Sequence, residues 1–182
     1  MKEAQPHIML IEACKKGDNK ARHQLYQLYA RAMFNVCCRM TGNQADAEDM
    51  LQEAFTLAFM KLDTFRFESN FGSWLKRIVV NTCINALKKR RVELAFCENM
   101  SRYDTMEEEE TPPEFTVQQV VEAMGLLPEG GRMVFSLYLL EGYDHGEIAQ
   151  IMGITESTSK SQYLRAKRRV AEILTEQKQT QL

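Results

Sequence analysis

Residues 142–169 read GYDHGEIAQIMGITESTSKSQYLRAKRR, and this stretch decides the fold class. It predicts two helices joined by a tight turn. Asp144 stands three residues before Glu147, the spacing at which each side chain caps the other's backbone amide. Ile148, Ile151 and Met152 form the apolar stripe of the first helix, and Ala149 is small where a second helix must cross. Gly153 supplies a left-handed residue to close that helix, and Thr155 caps the next one. The second helix offers Ser157, Thr158, Lys160, Ser161 and Arg165 on its exposed side, then Lys167, Arg168 and Arg169. In a helix-turn-helix the start of the second helix enters the major groove. Hydroxyls and cations there suit base edges and phosphates. The competing reading is a solvated basic face, but cations this dense are the usual footprint of phosphate binding.

The net charge of the 182-residue chain is only −2, which by itself argues against nucleic acid. Its distribution argues the other way. Residues 61–91 hold eight Lys/Arg against two Asp/Glu, and residues 92–116 hold eight Asp/Glu against one Arg. A mosaic of signs of this kind suggests charged partners. The five cysteines (Cys14, Cys37, Cys38, Cys83 and Cys97) contain no CxxC pair and fit neither a zinc site nor a disulfide frame. They read as small core residues in a reducing cytosol, with a redox role for adjacent Cys37 and Cys38 as the sharper alternative. No signal peptide and no membrane-spanning run is legible, so the expected location is cytoplasmic.

Helical periodicity dominates. Leu25, Leu28, Tyr29, Ala32, Met33, Val36, Cys37 and Met40 repeat over four turns after a cap at Asp18, and Thr41, Gly42 and Asn43 break the helix. Ala47, Met50, Leu51, Ala54, Phe55, Ala58 and Leu62 mark a second helix. A loop carrying Phe65, Phe67 and Phe71 precedes a third, expected from about residue 73 to 90. Residues 92–116 lack an apolar period and contain four consecutive Glu and a Pro pair, so they read as a flexible acidic linker. Val117, Val120, Val121 and Met124 open a further helix, and Met133, Val134, Leu137 and Tyr138 another. No strand and no repeat is legible. The expected fold is all-α: two small helical domains, 1–91 and 117–182, joined by the linker 92–116.

The third helix carries a second informative pattern. Trp74, Arg77, Asn81, Asn85 and Lys88 recur at steps of three or four and share one stripe. An aromatic ring can stack on bases, amides can read edges, and cations bind phosphate. The Phe-rich loop before it could receive an unstacked base. The bland alternative makes Trp74 core and Asn81 a cap on a neighbouring turn. Asp46, Glu48, Asp49 and Glu53 make one side of the second helix acidic, either a solvated face or a docking surface for a basic partner. His7, His23 and His145 are scattered. No catalytic constellation, phosphate-cradling Gly loop, metal site or cofactor site is legible, so no enzyme is expected.

Taken in order, these segments resemble the extracytoplasmic-function (ECF) group of bacterial RNA polymerase sigma factors, in the sigma-70 family. DAEDMLQEAF (residues 46–55) resembles that family's region 2 segment for core polymerase. FRFESNFGSWLKRIVVNTCINALKKRR (65–91) resembles its promoter-melting and downstream-element segment. LPEGGRMVFSLYLLEGYDHGEIAQIMGITESTSKSQYLRAKRR (127–169) resembles its region 4. The resemblance implies that Asp46, Asp49, Gln52, Glu53 and Phe55 face the clamp of core RNA polymerase. It implies that Phe67, Glu68, Ser69 and Asn70 line a loop capturing a flipped base of the single-stranded non-template strand. Trp74, Arg77, Asn81, Asn85 and Lys88 would serve the −10 element and melting. Ser157, Thr158, Lys160, Ser161, Arg165, Lys167 and Arg168 would read the double-stranded −35 element. The acidic linker would occupy the polymerase's template or RNA-exit path. The resemblance also implies a free monomer and an anti-sigma partner, membrane-linked in many relatives.

Two positions depart from the family pattern. Ser159 stands where many relatives carry an apolar residue, which predicts looser packing or a tilted recognition helix. Gly130 and Gly131 fall in a helix start and lower its propensity. The rival function is a stand-alone, dimeric helix-turn-helix regulator on a palindromic site. A metal-dependent nuclease is a third class.

Overall fold

The computed structural model describes residues 7–94 and 115–180. Most of the acidic segment, with Cys97, the four Glu and the Pro pair, lies outside the described residues. The described residues are helices and turns with no strand. The chain divides into two compact units, Met1–Ala86 and Leu87–Leu182.

In the first unit, α1 (Ile8–Lys15) leads into α2 (Asn19–Thr41), α3 (Gln44–Met60), a single 3-10 turn (Leu62–Thr64) and α4 (Phe71–Leu94), whose last residues lie beyond the unit's end at Ala86. Each junction has a local cause. The Asp18 carboxylate accepts from the amides of Lys20 and Ala21 at 2.8 and 3.2 Å and starts α2. Gly42 ends it in a left-handed conformation, φ 69°. The Asn43 side chain then accepts from Ala45 and Asp46 and starts α3. Two short polar side chains and one glycine thus satisfy amides and carbonyls that helix ends leave open. Leu25, Val36, Cys37 and Met40 of α2 are buried with Ala47, Leu51, Ala54 and Phe55 of α3 and Leu75, Val79, Val80 and Cys83 of α4.

Two expectations change here. Leu28 is 52% exposed and Ala32 is exposed, so the apolar stripe of α2 is wider than the face its neighbours cover. Helix α4 begins at Phe71, two residues before the expected start, because the Asn70 side chain accepts from the Gly72 amide at 2.7 Å.

In the second unit, α5 (Val117–Gly125) opens on a reciprocal cap between Thr116 and Gln119. Next come α6 (Glu129–Phe135), which continues as a π-helical stretch (Ser136–Leu140), α7 (His145–Met152) and the long α8 (Glu156–Thr180). Ala123, Met124, Leu127, Phe135, Ala166, Val170, Ile173 and Leu174 form one core cluster. Helix α6 includes both glycines despite their poor propensity. Tertiary contacts outweigh that deficit. Met133, Val134 and Phe135 are buried, and buried Arg132 donates to the carbonyls of Gly125 and Leu127, tying the α5–α6 turn. Desolvation lowers the Arg132 pKa.

Candidate nucleic-acid interface

Helices α7 and α8 meet through contacts that span few residues. The Asp144 carboxylate accepts from the Glu147 amide at 2.7 Å, and the Glu147 carboxylate accepts from the Asp144 amide at 2.9 Å. Ile148 is fully buried, while Ile151 and Met152 are half-buried. Gly153 takes φ 69° and donates to the Ala149 carbonyl at 2.9 Å. The Thr155 hydroxyl accepts from the Thr158 amide at 3.0 Å and so caps α8.

On α8, Ser157, Lys160, Arg165, Lys167 and Arg168 are exposed, whereas Thr158 and Ser161 are half-buried. Thr158 shares a hydroxyl–hydroxyl bond of 2.8 Å with Thr155, and the Ser161 hydroxyl donates to the Ser157 carbonyl at 2.9 Å. These two hydroxyls are therefore engaged in their own helix. The Lys160 ammonium lies 2.7 Å from the Glu156 carboxylate, which raises its pKa. Arg169 pairs with Glu172 and Glu176. Both pairs lie in solvent, where water and salt screen them, so a phosphate can displace the carboxylates at small cost.

Ser159 corrects an expectation. It is fully buried, and its hydroxyl is 2.9 Å from Nδ1 of His145. The His145 ring stacks on Tyr138 at 4.4 Å and 11°, and meets Tyr163 edge-on at 5.7 Å. In place of looser packing, a polar bond inside an aromatic cluster pins the recognition helix to the start of α7.

The stripe on α4 presents Arg77, Asn81, Asn85 and Lys88 to solvent. Trp74 is half-buried, its ring 5.3 Å from Phe65 and 5.5 Å from Phe71. Of the loop phenylalanines, Phe65 and Phe71 are buried and only Phe67 is partly exposed, with Glu68, Ser69 and Asn70 exposed beyond it. Phe67 has φ 59°, a left-handed conformation costing a side-chain-bearing residue about 1–2 kcal/mol. Tyr29 of α2 packs against Phe71 at 5.1 Å. A Cβ at Gly72 would meet Tyr29 Cε1 and Asn70 Oδ1, each at 3.2 Å, so the helix start approaches α2 closely. Sequence reading missed Tyr29 as a loop support. It also missed Lys15 of α1, which donates to the Phe65 carbonyl at 2.9 Å. Neither carries a local signal, because both act across long sequence separations.

On α3, Glu48, Asp49, Gln52 and Glu53 are exposed and Asp46 is half-buried, forming an acidic face. Phe55 does not belong to that face. It is 4% exposed, with its ring 4.7 Å from Tyr26 and 6.0 Å from Phe59. Its position in the docking motif reflects helix periodicity: it stands three and four residues from exposed Gln52 and buried Leu51, and falls on the buried side.

The thiols of Cys14, Cys37, Cys38 and Cys83 are unpaired by disulfides. Cys37 does not interact chiefly with adjacent Cys38. Its hydrogen bond with Cys83 lowers the Cys37 pKa, and the same bond together with burial raises that of Cys83. Among the described residues no cluster of three or more His, Cys, Asp or Glu could hold a metal ion. No described helix is long and apolar enough to cross a membrane.

Two family descriptions match these surfaces: Sigma-70 region 2 over residues 25–93, and Sigma-70, region 4 over residues 117–170. Over 179 residues the chain is 33% identical to the ECF RNA polymerase sigma-E factor of Escherichia coli (strain K12), covering 92% of this chain and 93% of that one. The chain belongs to the ECF sigma factors. It is a transcription initiation factor of the promoter-recognising kind, and a stand-alone helix-turn-helix regulator is not favoured, because region 2 is present beside region 4. This sigma factor is also 29% identical over 169 residues to the ECF sigma factor SigW of Bacillus subtilis (strain 168), covering 86% of this chain and 90% of that one. Its fold is shared with the sigma factor RpoE solved with the anti-sigma factor NepR from Bartonella quintana (24% identity, TM-score 0.54, 84% and 96% covered). It is likewise shared with CnrH solved with the cytosolic domain of CnrY (22% identity, TM-score 0.51, 92% and 96% covered).

Proposed function

We propose that this ECF sigma factor docks on core RNA polymerase through the acidic face of α3, with Asp46, Asp49, Gln52 and Glu53 as the contacts. Residues 1–91 act as the docking and melting domain, 92–116 as the linker, and 117–182 as the upstream-element domain. The −10 element is engaged by Trp74, Arg77, Asn81, Asn85 and Lys88, and one non-template base leaves the duplex for the loop of Phe67, Glu68, Ser69 and Asn70. Extruding a base costs a few kcal/mol of stacking, which the loop offsets. On α8, Ser157, Lys160, Arg165, Lys167 and Arg168 meet the −35 element, while Thr158 and Ser161 chiefly shape the helix start. The protein performs no covalent chemistry of its own. It acts in the cytoplasm, is monomeric when free, and is held in check by an anti-sigma protein.

The observation that supports this best is the exposed run Arg77, Asn81 and Asn85 on α4, beginning directly after a strained aromatic loop. Two weak DNA contacts on one chain become strong when polymerase holds both, because the second is then intramolecular. The test is run-off transcription with bacterial core polymerase on a genomic promoter library. Specific new transcripts sharing two spaced elements are expected. Failure of the pure protein to bind core polymerase at all would sink the reading.

A further inference from the structure

Lys15 ends α1, fifty residues from the loop it touches. Its ammonium donates to the Phe65 carbonyl at 2.9 Å, lies 4.6 Å from the centroid of the Phe67 ring, and lies 3.6 Å from the Glu12 carboxylate. The side chain is only 18% exposed. Lysine ordinarily keeps its ammonium in water and spreads its stem over apolar surface. Here the charge itself is turned onto a carbonyl, an aromatic ring and a carboxylate. What it holds is unusual. Phe67 sits at φ 59°, a region bulky residues rarely occupy and one that persists only where the surroundings over-determine it. The Phe65 ring packs on it as well, its centroid 4.9 Å away. One ammonium therefore fixes the backbone at Phe65 and the ring at Phe67 together.

We propose that Lys15 is a positioning residue for single-strand capture. It keeps Phe67 in its left-handed conformation and sets the half-exposed ring as the wall against which the extruded base stacks. The proposal rests on the reading that residues 67–70 receive that base. Lys15 acts through Phe67 and does not itself contact DNA.

The experiment uses holoenzyme assembled from the full chain and bacterial core polymerase. Its DNA is a fork-junction promoter with each of the four bases in turn at every unpaired non-template position. Lys15→Met is expected to reduce discrimination at one position about tenfold, from the loss of a charged hydrogen bond and a cation–π contact. Core affinity and upstream-element binding should stay unchanged, and Lys15→Arg should retain the discrimination. Phe67→Gly removes the ring and tolerates the backbone angle, so Lys15→Met should add nothing in that background. An equal loss in both backgrounds, or a parallel fall in core affinity, overturns the proposal. If Phe67→Gly abolishes discrimination and Lys15→Met leaves it intact, the role of Lys15 falls while the pocket stands. If no substitution at residues 67–70 alters base preference, the pocket reading falls and Lys15 with it.

Discussion

Residues 144–158 and residues 62–74 each deliver the chain into a helix for which we propose contact with DNA, and they reach that end by different means. The first segment is assembled from partners three or four residues apart: Asp144 with Glu147, Gly153 with Ala149, Thr155 with Thr158. The second depends on side chains far away in sequence. Lys15 holds the Phe65 carbonyl, Tyr29 packs on Phe71, and Phe67 bears a left-handed backbone. A groove of regular shape can be read by a regular helix face, which short-range capping is enough to start. Receiving one unstacked base calls for a shaped cavity, and a shaped cavity needs walls from several elements.

The largest effect should come from Phe55→Ala. Because Phe55 is buried, this change should cost about 3–5 kcal/mol in urea unfolding followed by the fluorescence of Trp74, the single tryptophan. Asp49→Ala, on the exposed face one turn and a half earlier, should stay within about 0.5 kcal/mol of the parent and weaken core polymerase binding instead. The opposite pattern would break the assignment of Phe55 to the interior.

Ser159→Ala sharpens the other side of the comparison, because the His145–Ser159 bond links α7 to α8 at the recognition helix itself. The expected cost is about 1–3 kcal/mol in thermal unfolding by circular dichroism, with Trp74 emission unmoved. Gly153→Ala forces a side-chain-bearing residue into φ 69° and should cost about 1–2 kcal/mol in the same measurement. Asp144→Ala, which removes one half of a reciprocal cap, should cost about 1 kcal/mol. The smallest stability effect is expected from Asn81→Ala, within about 0.5 kcal/mol. Promoter opening, read by permanganate reactivity of unpaired thymines, should nonetheless fall while polymerase binding persists. Release from polymerase by Asn81→Ala would show that the α4 stripe is misassigned.

The sequence by itself determined the helices from α2 onward, though not α1, together with the turn at Gly153, the reciprocal cap at Asp144 and the stripe from Arg77 to Lys88. Each is a short-range property: a cap needs a polar side chain within three residues, and a stripe needs only the 3.6-residue repeat. Tertiary structure decided the rest. It chose between two readings of Phe55, apolar stripe and docking face, by burying it with Leu51 and Ala54, and turned Ser159 from an apparent packing defect into a bond with His145. It let α6 form through two glycines because Arg132 and its apolar neighbours are buried there. Above all it set Phe67 in a conformation its own residue type disfavours, with Lys15 supplying the restraint. Periodicity states which residues share a face. It does not state which distant side chain will cover that face, or which strained angle that cover can hold.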